Sequence, residues 1–141
     1  MNFVLDASVA LSWCFEDEGG DYATGVLNEL RASEAVAASL WPLEIVNGLL
    51  TAERRKRIDP PASGRFTRLL LALPIVIDPV ARRRVFDVTN ALARKHALSS
   101  YDAAYLELAV RLGVPIATLD GPLNAAARRE GVEAFVARPV G

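Results

Sequence analysis

Soft and imidazole metal ligands are almost absent from this chain, which has one cysteine, Cys14, and one histidine, His96, among 141 residues. A lone thiol closes no internal disulfide, and no Cys/His spacing is present to seat zinc. Cys14 lies in the apolar stretch Val9-Ala10-Leu11-Ser12-Trp13-Cys14-Phe15, where a thiol serves as a small buried hydrophobe. Such cysteine usage suits a reducing cytoplasm. With no second histidine and no paired thiol, a nucleophilic triad is excluded. His96 follows Arg94-Lys95 near a helix end and reads as a surface residue favouring the negative helix pole.

Long hydrophobic runs are also missing. The longest, Leu69 to Ile77, contains Pro74 and falls far short of the roughly 20 residues that span a bilayer. The opening residues Met1-Asn2-Phe3-Val4-Leu5-Asp6 have no basic region, which argues against a signal peptide. A soluble protein without membrane association is expected. Nor is one sign of charge in excess: 16 Lys and Arg oppose 17 Asp and Glu, a net charge of −1. A globally basic coat is excluded, so a polyanion would have to be met by local patches. The runs Arg54–Arg57, Arg82-Arg83-Arg84 and Arg128-Arg129 are candidates, although each alone reads as a solvated helix face. The first lies about two turns or more along its helix from Glu44, which makes it less suited to touch the scissile phosphate.

What the chain does have is a hydrophobic share of 52%, enough to fill the core of one domain spanning residues 1–141. No repeat, low-complexity tract or linker divides it. Short apolar runs alternate with longer helical patterns, the mark of an α/β fold with a mainly parallel sheet. Strands are expected at Phe3–Leu5, Ala35–Ala38, Ile75–Ile77, Ile116–Leu119 and Val132–Phe135. Helices are expected over Ala7–Phe15 and Tyr22–Leu30, around a turn at residues 16–20. Another starts at Pro42 and runs to the cationic stretch at Arg54. Asp59-Pro60-Pro61 and Asp78-Pro79 each combine an N-cap with an early proline, and both mark helix starts. A further helix begins at Ser99-Ser100-Tyr101-Asp102 and reaches Gly113, apolar on most of its circumference and therefore sandwiched.

Four acids stand at element ends. Asp6 and Asp120 close expected strands, while Glu44 and Asp102 open expected helices. Each has an ordinary role available as a cap or a dipole partner. Together they share one rim, because a parallel α/β sheet places strand C-termini and the following helix N-termini along the same edge, where ligands bind. Four converging carboxylates repel one another and raise each other's pKa unless a cation compensates them. Oxygen-only ligands select hard ions, so Mg²⁺ or Mn²⁺ is expected, and the chemistry that follows is phosphodiester hydrolysis. Ser8, Asn47 and Thr118 lie close enough in sequence to orient a carboxylate or a water.

The fragments Val4-Leu5-Asp6-Ala7-Ser8, Leu43-Glu44-Ile45-Val46-Asn47, Ser100-Tyr101-Asp102-Ala103-Ala104-Tyr105-Leu106-Glu107-Leu108-Ala109 and Ala117-Thr118-Leu119-Asp120 resemble, in this order, those of the PIN-domain family, and within it VapC-type toxins. The resemblance covers essentially the whole chain. It implies a three-layer α/β/α fold with strand order 3-2-1-4-5, and Mg²⁺- or Mn²⁺-dependent cleavage of single-stranded RNA, commonly tRNA or rRNA. It also implies homodimerisation and inhibition by an antitoxin whose C-terminal segment crosses the active-site groove. Asp6, Glu44, Asp102 and Asp120 become the acidic quartet, and Ser8, Asn47 and Thr118 its polar accessories. Trp13 and Trp41 read as core or antitoxin-facing. One departure stands out. Many relatives carry a further acid shortly after the last aspartate, where this chain has Pro122 and Leu123, with Asn124 nearby; a single ion is expected.

Two rival readings remain. A catalytically silent PIN module would share the fold and act as an RNA- or protein-binding partner. A receiver-type phosphoacceptor domain would want an acidic pair at the first strand end and a lysine after the last strand. This chain offers Asp6 alone and, near its end, Ala137-Arg138. A phosphatase of the Asp-x-Asp type fails because Asp6-Ala7-Ser8 has no second acid.

Overall fold

The computed structural model describes residues 2–15 and 18–139, so Glu16 and Asp17 of the expected turn lie outside the described residues. Strand β1 (Phe3–Leu5) leads into helix α1 (Ala7–Ser12), followed by α2 (Gly20–Glu29), β2 (Ala35–Ala37), α3 (Trp41–Arg54) and α4 (Pro60–Ala72). After β3 (Ile75–Ile77) come the short α5 (Arg82–Arg84), a π-helical turn over Val85–Thr89, and α6 (Asn90–His96). The chain continues through α7 (Ser100–Leu112), β4 (Ile116–Ala117) and α8 (Gly121–Arg129).

All strand pairs are parallel, in the order β3-β2-β1-β4. Successive strand side chains point to opposite faces, yet Phe3, Val4 and Leu5 are all 0% exposed. Both faces of the sheet are therefore covered by helices, as parallel sheets require. Helix α7 packs on β1 and β4 with α6 and α8 beside it, while α1 is flanked by α2 and α3. Gly48 permits the last contact: a Cβ there would come within 2.6 Å of Leu11 Cδ1.

The expected fifth strand is present in place but not in length. At Val132–Phe135 only Ala134 bridges, in parallel, to Ile116 of β4. Ile116 N donates to Glu133 O and Phe135 N donates to Ile116 O. Phe135 is fixed by its side chain as well, stacked on Phe3 with ring centroids 4.0 Å apart. The order 3-2-1-4-5 thus holds, its last member reduced to one bridge.

Local chemistry explains most helix ends. Asp59 accepts from Ala62 N, and Ser99 accepts from Asp102 N, so both act as N-caps. Gly113, at φ 67°, closes α7 in the left-handed conformation that glycine adopts freely. Asp78-Pro79 is a correction. Asp78 caps nothing, because its carboxylate binds Arg111, and the next helix starts only after Ala81. Helix α1 is also shorter than expected: beyond Ser12 the chain leaves the helix in tight turns, with Cys14 N and Phe15 N bonding the carbonyls of Leu11 and Ser12. His96 is a second correction. Its side chain is 2% exposed, and its Nε2 lies 2.7 Å from Glu130 Oε2, tying α6 to the end of α8.

Candidate active site

Asp6 leaves β1 and Asp120 follows β4, and those strands are direct neighbours, with Leu5 in register with Ala117. Asp6 N donates to Ala117 O at 3.0 Å, so the two strand ends are stitched together where the acids begin. Glu44 and Asp102 lie in the first turns of α3 and α7. A parallel sheet brings these helix starts to the same edge.

Asp6 is 5% exposed. Its Oδ2 accepts from Ser8 Oγ at 2.7 Å and from Thr118 Oγ1 at 2.6 Å. The same two hydroxyls accept in turn: Ser8 Oγ from Leu119 N and Thr118 Oγ1 from Asp120 N. A single ring of hydrogen bonds therefore joins the β1 and β4 ends and fixes the direction of the Asp6 carboxylate. Asp120 is anchored by accepting from Leu123 N at 2.9 Å, so its capping role and its place at the rim coexist. Asn124 is committed elsewhere, its Nδ2 donating to Thr118 O.

Glu44 has a partner that sequence reasoning did not single out. Tyr105, 0% exposed, donates its hydroxyl to Glu44 Oε1 at 2.5 Å, linking α7 to α3. The available signal was spacing, since Tyr105 stands three residues after Asp102 on the same face of α7. Asn47 stands three residues after Glu44 on α3. It is exposed on α3, and among the described residues no hydrogen bond ties it to the acids.

The electrostatics follow from the crowding. Burial pushes Asp6 above the ordinary carboxylate range against the pull of the Thr118 and Ser8 hydroxyls, and the Asp120 charge adds to the rise. Burial likewise raises Glu44, with the charges of Asp6 and Asp102 adding to it and the Tyr105 hydroxyl opposing. Asp102 is raised by burial and by Asp120 and Asp6. The four acids feel one another directly. Yet among the described residues every ion pair lies elsewhere, on Glu18, Glu29, Asp78, Glu107 or Glu130. Repulsion is left uncompensated by the protein, the condition that favours an added cation. As they stand, no three His, Cys, Asp or Glu among the described residues close into a ready metal cage. The acids share one rim and one another's field, but no three of them meet at a common point.

A family model described as the PIN domain matches residues 3–129. Ribonuclease VapC3 of Pyrobaculum aerophilum is 28% identical over 123 residues, 87% of this chain and 92% of that relative. Two solved structures share the architecture. PAE2754 from Pyrobaculum aerophilum matches with a TM-score of 0.68 at 21% identity, over 95% of this chain and 83% of that one. FitAcB from Neisseria gonorrhoeae matches with a TM-score of 0.64 at 14% identity, over 96% of this chain and 97% of that one. At such identities the two structures speak for the fold alone.

Proposed function

The chain belongs to the PIN-domain family, and from that premise we propose that it is a VapC-type endoribonuclease cutting single-stranded RNA, such as tRNA or rRNA, with Mg²⁺ or Mn²⁺. The observation that carries this reading is the shared rim of Asp6, Glu44, Asp102 and Asp120, coupled in charge and facing no cation of the protein. The relative's name, a ribonuclease over most of its own length, supports the same class of chemistry. Residues 1–141 act as one such domain, in keeping with a single core cluster running from Phe3 to Phe135.

The donor set fits a hard divalent ion, being oxygen only, and Asp6, Glu44, Asp102 and Asp120 would hold it. Mg²⁺ held by a few carboxylates keeps several of its waters. When bound, such an ion supplies acidity to an attacking water and charge at the reacting phosphate. The protein's own part is orientation. Ser8 and Thr118 aim Asp6, Tyr105 aims Glu44, and the α8 N-terminus holds Asp120. The N-termini of α3, α7 and α8 all point their positive dipole ends at this rim, which favours a bound phosphate. Pro122 and Leu123 place no further acid beside Asp120, and Asn124 is occupied, so one ion is expected.

Partners follow the same reading. A cognate antitoxin would silence the enzyme, and the chain would act as a homodimer in the cytoplasm. Support comes from an unusually apolar surface: Leu43, Val46, Leu71, Val76 and Ile77 are all exposed on α3, α4 and the edge strand β3. No helix among the described residues is long and apolar enough to cross a membrane.

The test is direct. Purified protein should cleave RNA with Mg²⁺ or Mn²⁺ and stop with EDTA, and Asp6→Asn or Asp102→Asn should abolish cleavage while circular dichroism stays unchanged. Full activity in either variant defeats the assignment. Binding without cleavage by the parent would instead mark a catalytically silent module.

A further inference from the structure

The chain ends past β2 and β3 enclose, with α7, a pocket of about 180 Å³. Its walls come from the chain just past β2 (Ser39, Leu40), the chain just past β3 (Asp78, Val80), the π-helical turn and the first turns of α7. Strands β2 and β3 are the neighbours of β1 on the side away from β4. The pocket therefore opens on the same rim as Asp6, displaced by one to two strand spacings, about 5–10 Å. Tyr101, next in sequence to Asp102, stands at its edge with 63% of its surface exposed.

The lining is mixed in a specific way. Leu40, Val80, Val85 and Leu108 supply apolar walls, and Ser39, Thr89 and Ser100 supply hydroxyls that both donate and accept. The two acids within reach, Asp78 and Glu107, are engaged by Arg111, and Glu107 also by Arg84. The pocket thus presents no free cation-seeking charge. Both ends of the π-helical turn, Val85 and Thr89, face into it. Such turns are rare and occur often at functional sites.

The basic runs can now be separated by topology. Helices α3 and α8 start at the acidic rim, so Arg54 and Arg128 at their far ends lie about 15 Å and 12 Å from Glu44 and Asp120, toward the opposite sheet edge. Arg82 and Arg83 follow the C-terminal end of β3 instead, exposed on α5 immediately before the π-helical turn. Of the three runs, this one shares the rim with the acids and adjoins the pocket.

We propose that the pocket receives a nucleobase flanking the scissile phosphate of single-stranded RNA, stacked against Tyr101, with Arg82 and Arg83 holding the neighbouring phosphates. An exposed aromatic, hydroxyls for a base edge and adjacent cations are the parts from which single-stranded RNA recognition is built. The assignment rests on the nuclease reading above and adds where the strand runs and what reads its sequence.

The experiment measures binding of fluorescein-labelled oligo-U, oligo-A and oligo-C in EDTA, and maps cut sites on a mixed-sequence RNA with Mn²⁺. Tyr101→Ala should weaken binding about 10- to 100-fold, and Tyr101→Phe should restore it. Ser39→Ala and Thr89→Val should change the ranking of the three oligonucleotides and shift the cut sites. Arg82→Ala and Arg83→Ala should weaken all three alike and each lower the salt slope by about 0.7. Arg128→Ala should do neither. If the parent binds and cuts RNA but Tyr101→Ala keeps its affinity and cut sites, the pocket assignment is overturned and the nuclease reading stands. An effect of Arg128→Ala equal to that of Arg82→Ala overturns the strand path. A parent that neither binds nor cuts any RNA overturns both readings.

Discussion

Glu107 and Asp6 are almost equally hidden, 2% and 5% exposed, yet the protein treats them in opposite ways. Around Glu107 burial would raise the carboxyl pKa, but the guanidiniums of Arg111 and Arg84 outweigh it and hold the group below its ordinary value. Arg111 extends the network to Asp78 at 2.6 Å. Around Asp6 there are two hydroxyls and other acids, and burial wins. Both carboxylates bear the cost of leaving water; only one is matched by charge. A matched acid belongs to the architecture of α7 and its neighbours. An unmatched one, grouped with three others, keeps a repulsion that no cation of the protein relieves.

The sharpest way to break this contrast is to remove a charge from each side and measure stability in EDTA by denaturant unfolding. Arg111→Ala leaves Asp78 without its cation and Glu107 with Arg84 alone, and should cost about 1–3 kcal/mol. Asp6→Asn removes a repelling charge and should leave the metal-free protein as stable as the parent or more so. A loss from Asp6→Asn as large as that from Arg111→Ala would place the rim acids among the structural ones.

A smaller effect is expected where the two regions meet. Tyr105 is core by burial, but its hydroxyl serves the acidic rim through Glu44. Tyr105→Phe keeps the ring and frees Glu44 to turn away. Mn²⁺ affinity, followed by calorimetry or by the resonance of the free ion, should fall about tenfold, as for other residues that orient metal ligands. Unchanged affinity would show that Tyr105 serves packing alone.

How much of this was legible in the sequence depended on whether the cause was local. Phe3–Leu5 and Ile75–Ile77 read correctly because dense apolar residues bounded by turn formers leave few alternatives. Ser99 and Asp59 read correctly as caps because the cap and the N–H it accepts from are three residues apart. Asp78 carries the same local signal as Asp59 and fails as a cap, since Arg111, far away in sequence, competes for its carboxylate. The four acids were visible as strand-end and helix-start residues once a parallel sheet was assumed. Their positions could be inferred, but the Tyr105–Glu44 bond spans 61 residues and depends on how α7 lies against α3. Asn47 was drawn in by helical spacing from Glu44 and is exposed on α3. His96 looked like a surface residue because nothing in its neighbourhood announces Glu130.

Glu29 offers the mildest test of the same principle. It is buried, and three donors of Arg138 reach it: Nη2 donates to Oε2 at 2.7 Å, Nε donates to both carboxylate oxygens, and the backbone N donates to Oε1 at 3.0 Å. Side-chain and backbone donors together lower its pKa from 4.5 to about 2. A carboxyl lowered in the folded state contributes stability that is complete above its unfolded pKa and is lost as pH falls through the folded one. The window therefore runs from about pH 4.5 down to about 2. Arg138→Ala removes the guanidinium but keeps the backbone donor, and Arg138 is itself 71% exposed, so solvent already screens the pair. Denaturation midpoints of parent and variant should differ slightly at pH 7 and converge as pH falls through that window. A gap that widens toward low pH would mean that Glu29 is not the matched acid its geometry describes.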